Sequence, residues 1–269
     1  MSYEQEVVSR SKKVHIEGLV DDWKARKNPD FFWPTGTQVY VGRQGSGKTI
    51  SAVYHLRKLD TRYKKSITVT NVELFYKKQL VFRDEEHLID IVAKLKELEN
   101  RSDYYIRFST MEELELVLKN VNNGFFGVIY LVDEIHTYFN SLESKNIPMY
   151  VFTEISQQRK QRKLIIGTSQ LFLRMAKPLR EQCDNLIICK TKFGFWTFQA
   201  AYDGMTLEQD YDGTTYGDVR KKGWFFHTRK LRNSFDTYQK VQSGNIDYSQ
   251  MEVLGKTEIR SKGKQVKMK

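Results

Sequence analysis

The chain has 269 residues, 40% of them hydrophobic, and carries 44 Lys and Arg against 33 Asp and Glu, a net charge of +11 at pH 7. That is enough apolar material for one α/β domain with elaborations, and the positive balance favours a polyanionic partner such as nucleic acid or an anionic surface. No run reaches the ~18 consecutive apolar residues that a membrane-spanning helix needs, so no membrane insertion is expected. The two cysteines, Cys183 and Cys189, form no grouping with metal-ligand spacing and are expected as buried thiols. The polar start, Met1 to Glu6, argues against a secretory signal.

Residues 1–36 read as an N-terminal extension. Val14 to Lys24 suits a short amphipathic helix, and Phe31-Phe32-Trp33-Pro34 reads as an aromatic cluster that packs against the nucleotide-binding domain, with a subunit contact or the adenine pocket as the alternatives. Thr37 to Val41 is β-prone and leads into Gly42-Arg43-Gln44-Gly45-Ser46-Gly47-Lys48-Thr49, which fits G-x-x-x-x-G-K-[ST]. Ile50 to Leu59 follows as a helix with Val53, Leu56 and Leu59 on one face. Strand, glycine loop and helix in that order form a phosphate-binding loop. Its inward N–H groups and the positive helix end hold phosphates. In such a loop Lys48 reaches the β- and γ-phosphates of ATP and the Thr49 hydroxyl ligates Mg²⁺.

Ser66 to Thr70 reads as a second strand. Glu85 to Asn100 and Met111 to Val121 read as helices that cover a sheet, the latter ended by Asn122-Asn123-Gly124. Phe125 to Val132 is apolar apart from Gly127, as in a strand buried on both faces of a parallel sheet, and it ends in Asp133-Glu134. An apolar strand ending in an acidic pair roughly 80 residues after a phosphate loop is the Walker B pattern. Asp133 is placed to help hold Mg²⁺, and Glu134 to orient and deprotonate the attacking water. Phe152 to Lys163 reads as an exposed polar helix carrying Arg159, Lys160, Arg162 and Lys163. The strand Leu164 to Gln170 then aims Thr168, Ser169 and Gln170 at the edge that bears Lys48 and Asp133. Leu186 to Cys189 reads as one more buried strand. Beyond residue 190 the texture changes, with Phe193 to Phe198 and Gly223 to Thr228 alternating like antiparallel strands and Arg229, Lys230 and Arg232 after them. Lys256 to Lys269 is basic and lacks an apolar face, which suggests a disordered tail.

The expected fold is therefore α/β, a P-loop NTPase with a mostly parallel central sheet flanked by helices, plus a small β-rich C-terminal extension. The divisions are 1–36, a core at 37–190, a β-rich region at 191–255 and a tail at 256–269. The segments G-R-Q-G-S-G-K-T, I-Y-L-V-D-E-I-H and Q-R-K-Q-R-K-L-I-I-G-T-S-Q together resemble the viral branch of the FtsK–HerA superfamily, which includes genome-packaging ATPases and zonular-occludens-toxin-like assembly proteins. The resemblance spans about residues 37–190. It implies an ATP-driven ring of identical subunits with Gly42 to Thr49 on the phosphates, Thr49 and Asp133 on Mg²⁺, Glu134 as base, Gln170 as polar sensor, and Arg159 or Arg162 as an arginine finger supplied to a neighbouring subunit. Zonular-occludens-type proteins typically carry a membrane-spanning helix. The lack of such an apolar run here favours a soluble motor in the host cytoplasm that packages double-stranded DNA against a capsid portal or vertex protein. The alternative is an ATPase that powers phage assembly or secretion without touching DNA.

Overall fold

The computed structural model describes residues 28–142, 147–158, 160–204, 206, 208–209 and 215–236. The Val14–Lys24 helix, Arg159 and the tail from Lys256 lie outside them. In chain order the elements are β1 (Gly36–Val41), α1 (Lys48–Arg62), β2 (Ile67–Thr70), β3 (Lys78–Leu80), α2 (Glu85–Glu97), β4 (Tyr104–Arg107), α3 (Met111–Asn120), β5 (Val128–Val132), α4 (Met149–Ser156), β6 (Lys163–Ser169), α5 (Lys177–Arg180), β7 (Cys183–Lys192), β8 (Trp196–Asp203), β9 (Glu208–Gln209), β10 (Thr215–Tyr216), β11 (Val219–Phe226) and α6 (Arg229–Arg232).

Nine strands form one sheet in the order β11-β8-β7-β1-β6-β5-β2-β4-β3, while β9 and β10 pair separately. From β7 to β3 every neighbouring pair is parallel; β8 and β11 then extend the β7 edge antiparallel. The α/β fold with an antiparallel C-terminal extension is thus observed. β5 and β6 are buried along their whole length because helices cover both faces, which is why their sequences run apolar instead of alternating. α1 lies on one face over Tyr40, Leu131, Ile166 and Ile187; α2 to α5 lie on the other over Val39, Val69, Tyr130 and Ile165. α2 and α3 start on side-chain caps. Asp84 accepts from the His87 N–H, and Thr110 and Glu113 form a reciprocal capping box. Of the aromatic cluster Phe31 and Phe32 are buried, as the packing reading required, while Trp33 is exposed; both cysteines are buried free thiols.

Several sequence expectations need correction; Phe193–Phe195, for one, is the turn between β7 and β8 and not part of a strand. The helix expected over Phe152 to Lys163 runs over Met149–Ser156 instead, and Lys163 opens β6. Lys163 is not an exposed cation. Its side chain is buried, and Nζ donates to the Leu118 carbonyl at 2.6 Å and reaches Glu154 at 3.4 Å. Its aliphatic stem suits the interior, and those two oxygens satisfy the ammonium where water cannot. The run expected as a strand from Phe125 begins only at Val128, because Gly124–Phe126 forms a single tight turn.

Candidate active site

β1 and α1 are joined by the glycine loop. Gly47 sits at φ +87°, and a Cβ there would lie 2.4 Å from Thr191 Oγ1 and 2.7 Å from Thr197 Oγ1. Only glycine combines that left-handed backbone with so close an approach to β7 and β8. Thr191 Oγ1 donates to the Ser46 carbonyl at 2.9 Å and lies 2.6 Å from Thr197 Oγ1, which in turn lies 2.7 Å from His227 Nε2. The loop therefore rests on a floor of hydroxyls contributed by strands distant in sequence. Lys48 is buried at the first position of α1, and its ammonium donates to the Arg43 carbonyl at 3.3 Å. Arg43, Gln44 and Gly45 are exposed at the crest of the loop.

Walker B joins this loop through Asp133. Its Oδ1 accepts from Thr49 Oγ1 at 2.9 Å and from Thr168 Oγ1 at 2.7 Å. The Asn71 amide clamps the same residue's backbone, accepting from its N–H at 2.8 Å and donating to its carbonyl at 3.0 Å. Burial pushes the Asp133 carboxyl above its ordinary range, and the Thr168 and Thr49 hydroxyls and Lys48 oppose that rise. Glu134 has a left-handed backbone, φ +48° and ψ +50°, a conformation that costs a non-glycine residue about 1–3 kcal/mol. The Glu134 N–H donates to Thr168 Oγ1 at 2.9 Å, so one buried hydroxyl holds both members of the acidic pair.

Burial, then the neighbouring Asp133, raises the Glu134 carboxyl, while Lys48, a hydrogen bond from Gln170 and the field of Arg174 lower it. Its Oε2 is buried without a hydrogen bond, 3.2 Å from His136 Nδ1. Burial, then Arg174 and Lys48, lower the His136 imidazole from its ordinary value, Asp133 opposes them, and its Nδ1 is also 3.3 Å from Ser169 Oγ.

The structure brings Gly42 to Thr49, Asp133, Glu134 and Gln170 to one edge of the sheet, at the carboxyl ends of β1, β5 and β6. Arg162 is elsewhere. It precedes β6, on the order of 20 Å from the far end of that strand at about 3.3 Å per residue, and its guanidinium lies 4.1 Å from the Phe31 ring centroid. Its guanidinium thus lies at the opposite end of β6 from the phosphate loop. Thr168 stands at this edge as its sequence position led one to expect, while Asn71, His136, Arg174, Thr191 and Thr197 complete the site without having been singled out from sequence. The position of Asn71, directly after a parallel strand, was the one available signal for it.

The donor set suits the nucleotide and metal that the loop implies. Thr49 and Asp133 offer hard oxygens on adjacent elements, and among the described residues no group of three or more His, Cys, Asp or Glu forms an all-protein cage. Mg²⁺ with few protein ligands and several phosphate or water oxygens matches that arrangement. Among the described residues no helix is long and apolar enough to cross a membrane.

Compared by sequence, the chain matches no protein-family model and no curated protein. Compared by structure, it is similar to the genome packaging NTPase B204 from Sulfolobus turreted icosahedral virus 2 in complex with ATP-γS, at 13% identity and a TM-score of 0.48, over 70% of this chain and 98% of that one. It is similar to the N-terminal domain of zonular occludens toxin from Neisseria meningitidis at 13% identity and a TM-score of 0.48, over 76% and 100% of the two chains. The flagellar accessory protein FlaH from Methanocaldococcus jannaschii matches at 15% identity and a TM-score of 0.39, over 71% and 85%.

Proposed function

We propose that this chain is an ATPase that couples hydrolysis to the translocation of double-stranded DNA, in the packaging of a viral genome. The observation that carries the ATPase reading is the joining of Thr49, Asp133 and Thr168 around one carboxylate oxygen, with Glu134 held beside them. In this reading the loop N–H groups and Lys48 hold the β- and γ-phosphates, and Thr49 and Asp133 hold Mg²⁺ directly or through water. Mg²⁺, when bound, neutralises charge on the phosphate oxygens and orients them. Glu134 takes a proton from a water aligned with the γ-phosphorus, helped by Gln170. The water oxygen bonds to phosphorus as the bond to the β-phosphate oxygen breaks, leaving ADP and phosphate. Burial and Asp133 raise the Glu134 carboxyl, a shift in the direction that strengthens a base.

The DNA reading rests on the net charge of +11 and on the motif resemblance. Contacts to phosphates suit a motor that must accept every sequence. We assign the finger to Arg159 or Arg162 acting on a neighbour's nucleotide within a homo-oligomeric ring, in the host cytoplasm and docked on a capsid portal or vertex. The test is the ATPase rate with and without duplex DNA at low and high salt. Stimulation by duplex that salt abolishes is expected. ATP turnover indifferent to DNA would move the reading to an ATPase that drives assembly or secretion.

A further inference from the structure

β8 and β11 add two strands to the sheet; among the described residues one of their faces packs on α1, and the other leaves large rings exposed beyond Tyr202. On the covered face Phe225 stacks on Tyr54 of α1 at 4.3 Å, and Thr197 props the phosphate loop. On the other face Trp196 and Phe198 of β8 pair across the ladder with Phe226 and Trp224 of β11. The four rings form one contiguous set, with centroids 4.5 Å apart for Trp196–Phe198, 5.4 Å for Trp196–Phe226 and 5.4 Å for Trp224–Phe226. Phe195 continues the set at 6.1 Å from Phe226, and Phe193, 80% exposed, continues it at the hairpin tip. Trp224 is 60% exposed. Lys190 and Lys192 of β7 pair with Phe198 and Trp196, and Lys222 continues the same face of β11 two residues before Trp224. Lys192 Nζ lies 5.4 Å from the Phe198 centroid, and these three lysines make no ion pair with any described residue. The Trp196 indole N–H is buried without an acceptor. Around the β11 edge, a cavity of about 260 Å³ presents Arg57, Lys58 and Lys230 beside Phe226.

An open aromatic face of this size marks a binding surface. Its charge chooses the partner. A second copy of the chain laid face to face would set these lysines against their own equivalents in a chain already at +11. A neutral protein partner would leave the ammonium groups unpaired, and lysine is depleted in protein interface cores. Duplex DNA offers phosphates to the lysines, but its base faces are stacked and closed to the rings. Single-stranded nucleic acid offers both, with bases for the rings and phosphates for the lysines. We propose that the open face of β8 and β11, with the β7–β8 tip, is a platform for single-stranded nucleic acid. This surface lies on the face of β8 opposite Thr197 and the phosphate loop, and the proposal does not rest on the duplex-translocation reading, so the two can fail separately.

The test uses the full chain without ATP. Binding of a labelled thymidine oligonucleotide of about 16 nucleotides, the upper range for one such platform, is followed by anisotropy and by tryptophan quenching. Trp224→Ala should weaken binding by about 10–100-fold, the usual loss for one stacked base, and Trp224→Phe should restore most of it. Lys192→Ala should lower the salt slope of log K by about 0.7, the value for one single-strand phosphate contact. Thermal unfolding of the variants checks that the exposed substitutions leave the fold intact. Unchanged oligonucleotide affinity in Trp224→Ala would overturn the proposal. So would an equal loss of duplex and single-strand binding, or dissociation of an oligomer with single-strand affinity intact.

Discussion

Thr168→Val removes one hydroxyl and almost no volume, and the structure predicts a loss far larger than that exchange suggests. Thr168 is fully buried; its Oγ1 donates to Asp133 Oδ1 at 2.7 Å and accepts the Glu134 N–H at 2.9 Å. A hydrogen bond to a charged group contributes about 1.5–3 kcal/mol, and a buried N–H left without a partner costs about 1–3 kcal/mol. The bonds share one atom and do not add fully, so the expected loss is roughly 2–4 kcal/mol in stability. ATP hydrolysis should fall as well, because the left-handed turn that aims Glu134 loses its pin. The control is Thr168→Ser, which keeps the hydroxyl and loses one buried methyl at about 1 kcal/mol. Packing alone ranks valine at or above serine here; hydrogen bonding ranks serine above valine. Urea unfolding and steady-state ATPase assays of both variants decide between them. A valine variant as stable as the serine one, or one that hydrolyses ATP at the wild-type rate, would refute the reasoning.

Gly47→Ala should abolish nucleotide binding and lower stability, since the new Cβ meets the Thr191 and Thr197 hydroxyls on a backbone that disfavours it by about 1–2 kcal/mol; calorimetric ATP affinity equal to wild type would contradict this. His55 supplies a pH dependence. Burial, then Lys58 and Lys221, push its imidazole down to about 4 from 6.5, and its Nδ1 pairs with the Tyr40 hydroxyl at 3.0 Å. Between those values the unfolded chain binds a proton that the folded chain excludes, so stability rises with pH across the window and is lost as pH falls through it. The contribution from about pH 7 to about pH 5 is a loss of roughly 2 kcal/mol. Urea midpoints should show that loss in the wild type and a flatter response in His55→Gln; an equal drop in both would assign it elsewhere.

The sequence is most legible where local pattern and tertiary role coincide. Continuous apolar runs mark β5 and β6 because both faces of those strands are covered, and the glycine spacing marks the loop because its backbone geometry admits little else. β4 leaves no such mark. It is four residues long, and Tyr105-Ile106 is its only fully buried pair. β3 is equally silent because Lys78-Gln79-Leu80 is an exposed edge strand with no apolar periodicity. Lys163 reads as a surface cation because its oxygens come from Leu118 and Glu154, one of them 45 positions away. The hydroxyl floor under the loop is hidden in the same way. Thr191 and Thr197 meet Ser46 and Gly47 only once β7 has paired with β1, and no local motif announces that contact.

The central claim is that Glu134 activates water at a loop that binds ATP independently of it. Single-turnover hydrolysis by wild type and Glu134→Gln, at ATP concentrations that saturate both, tests this most directly. The glutamine keeps the shape and loses the base, so equal ATP affinity with hydrolysis slowed by about 10²–10⁴-fold is expected. Equal hydrolysis rates in the two proteins would contradict the account.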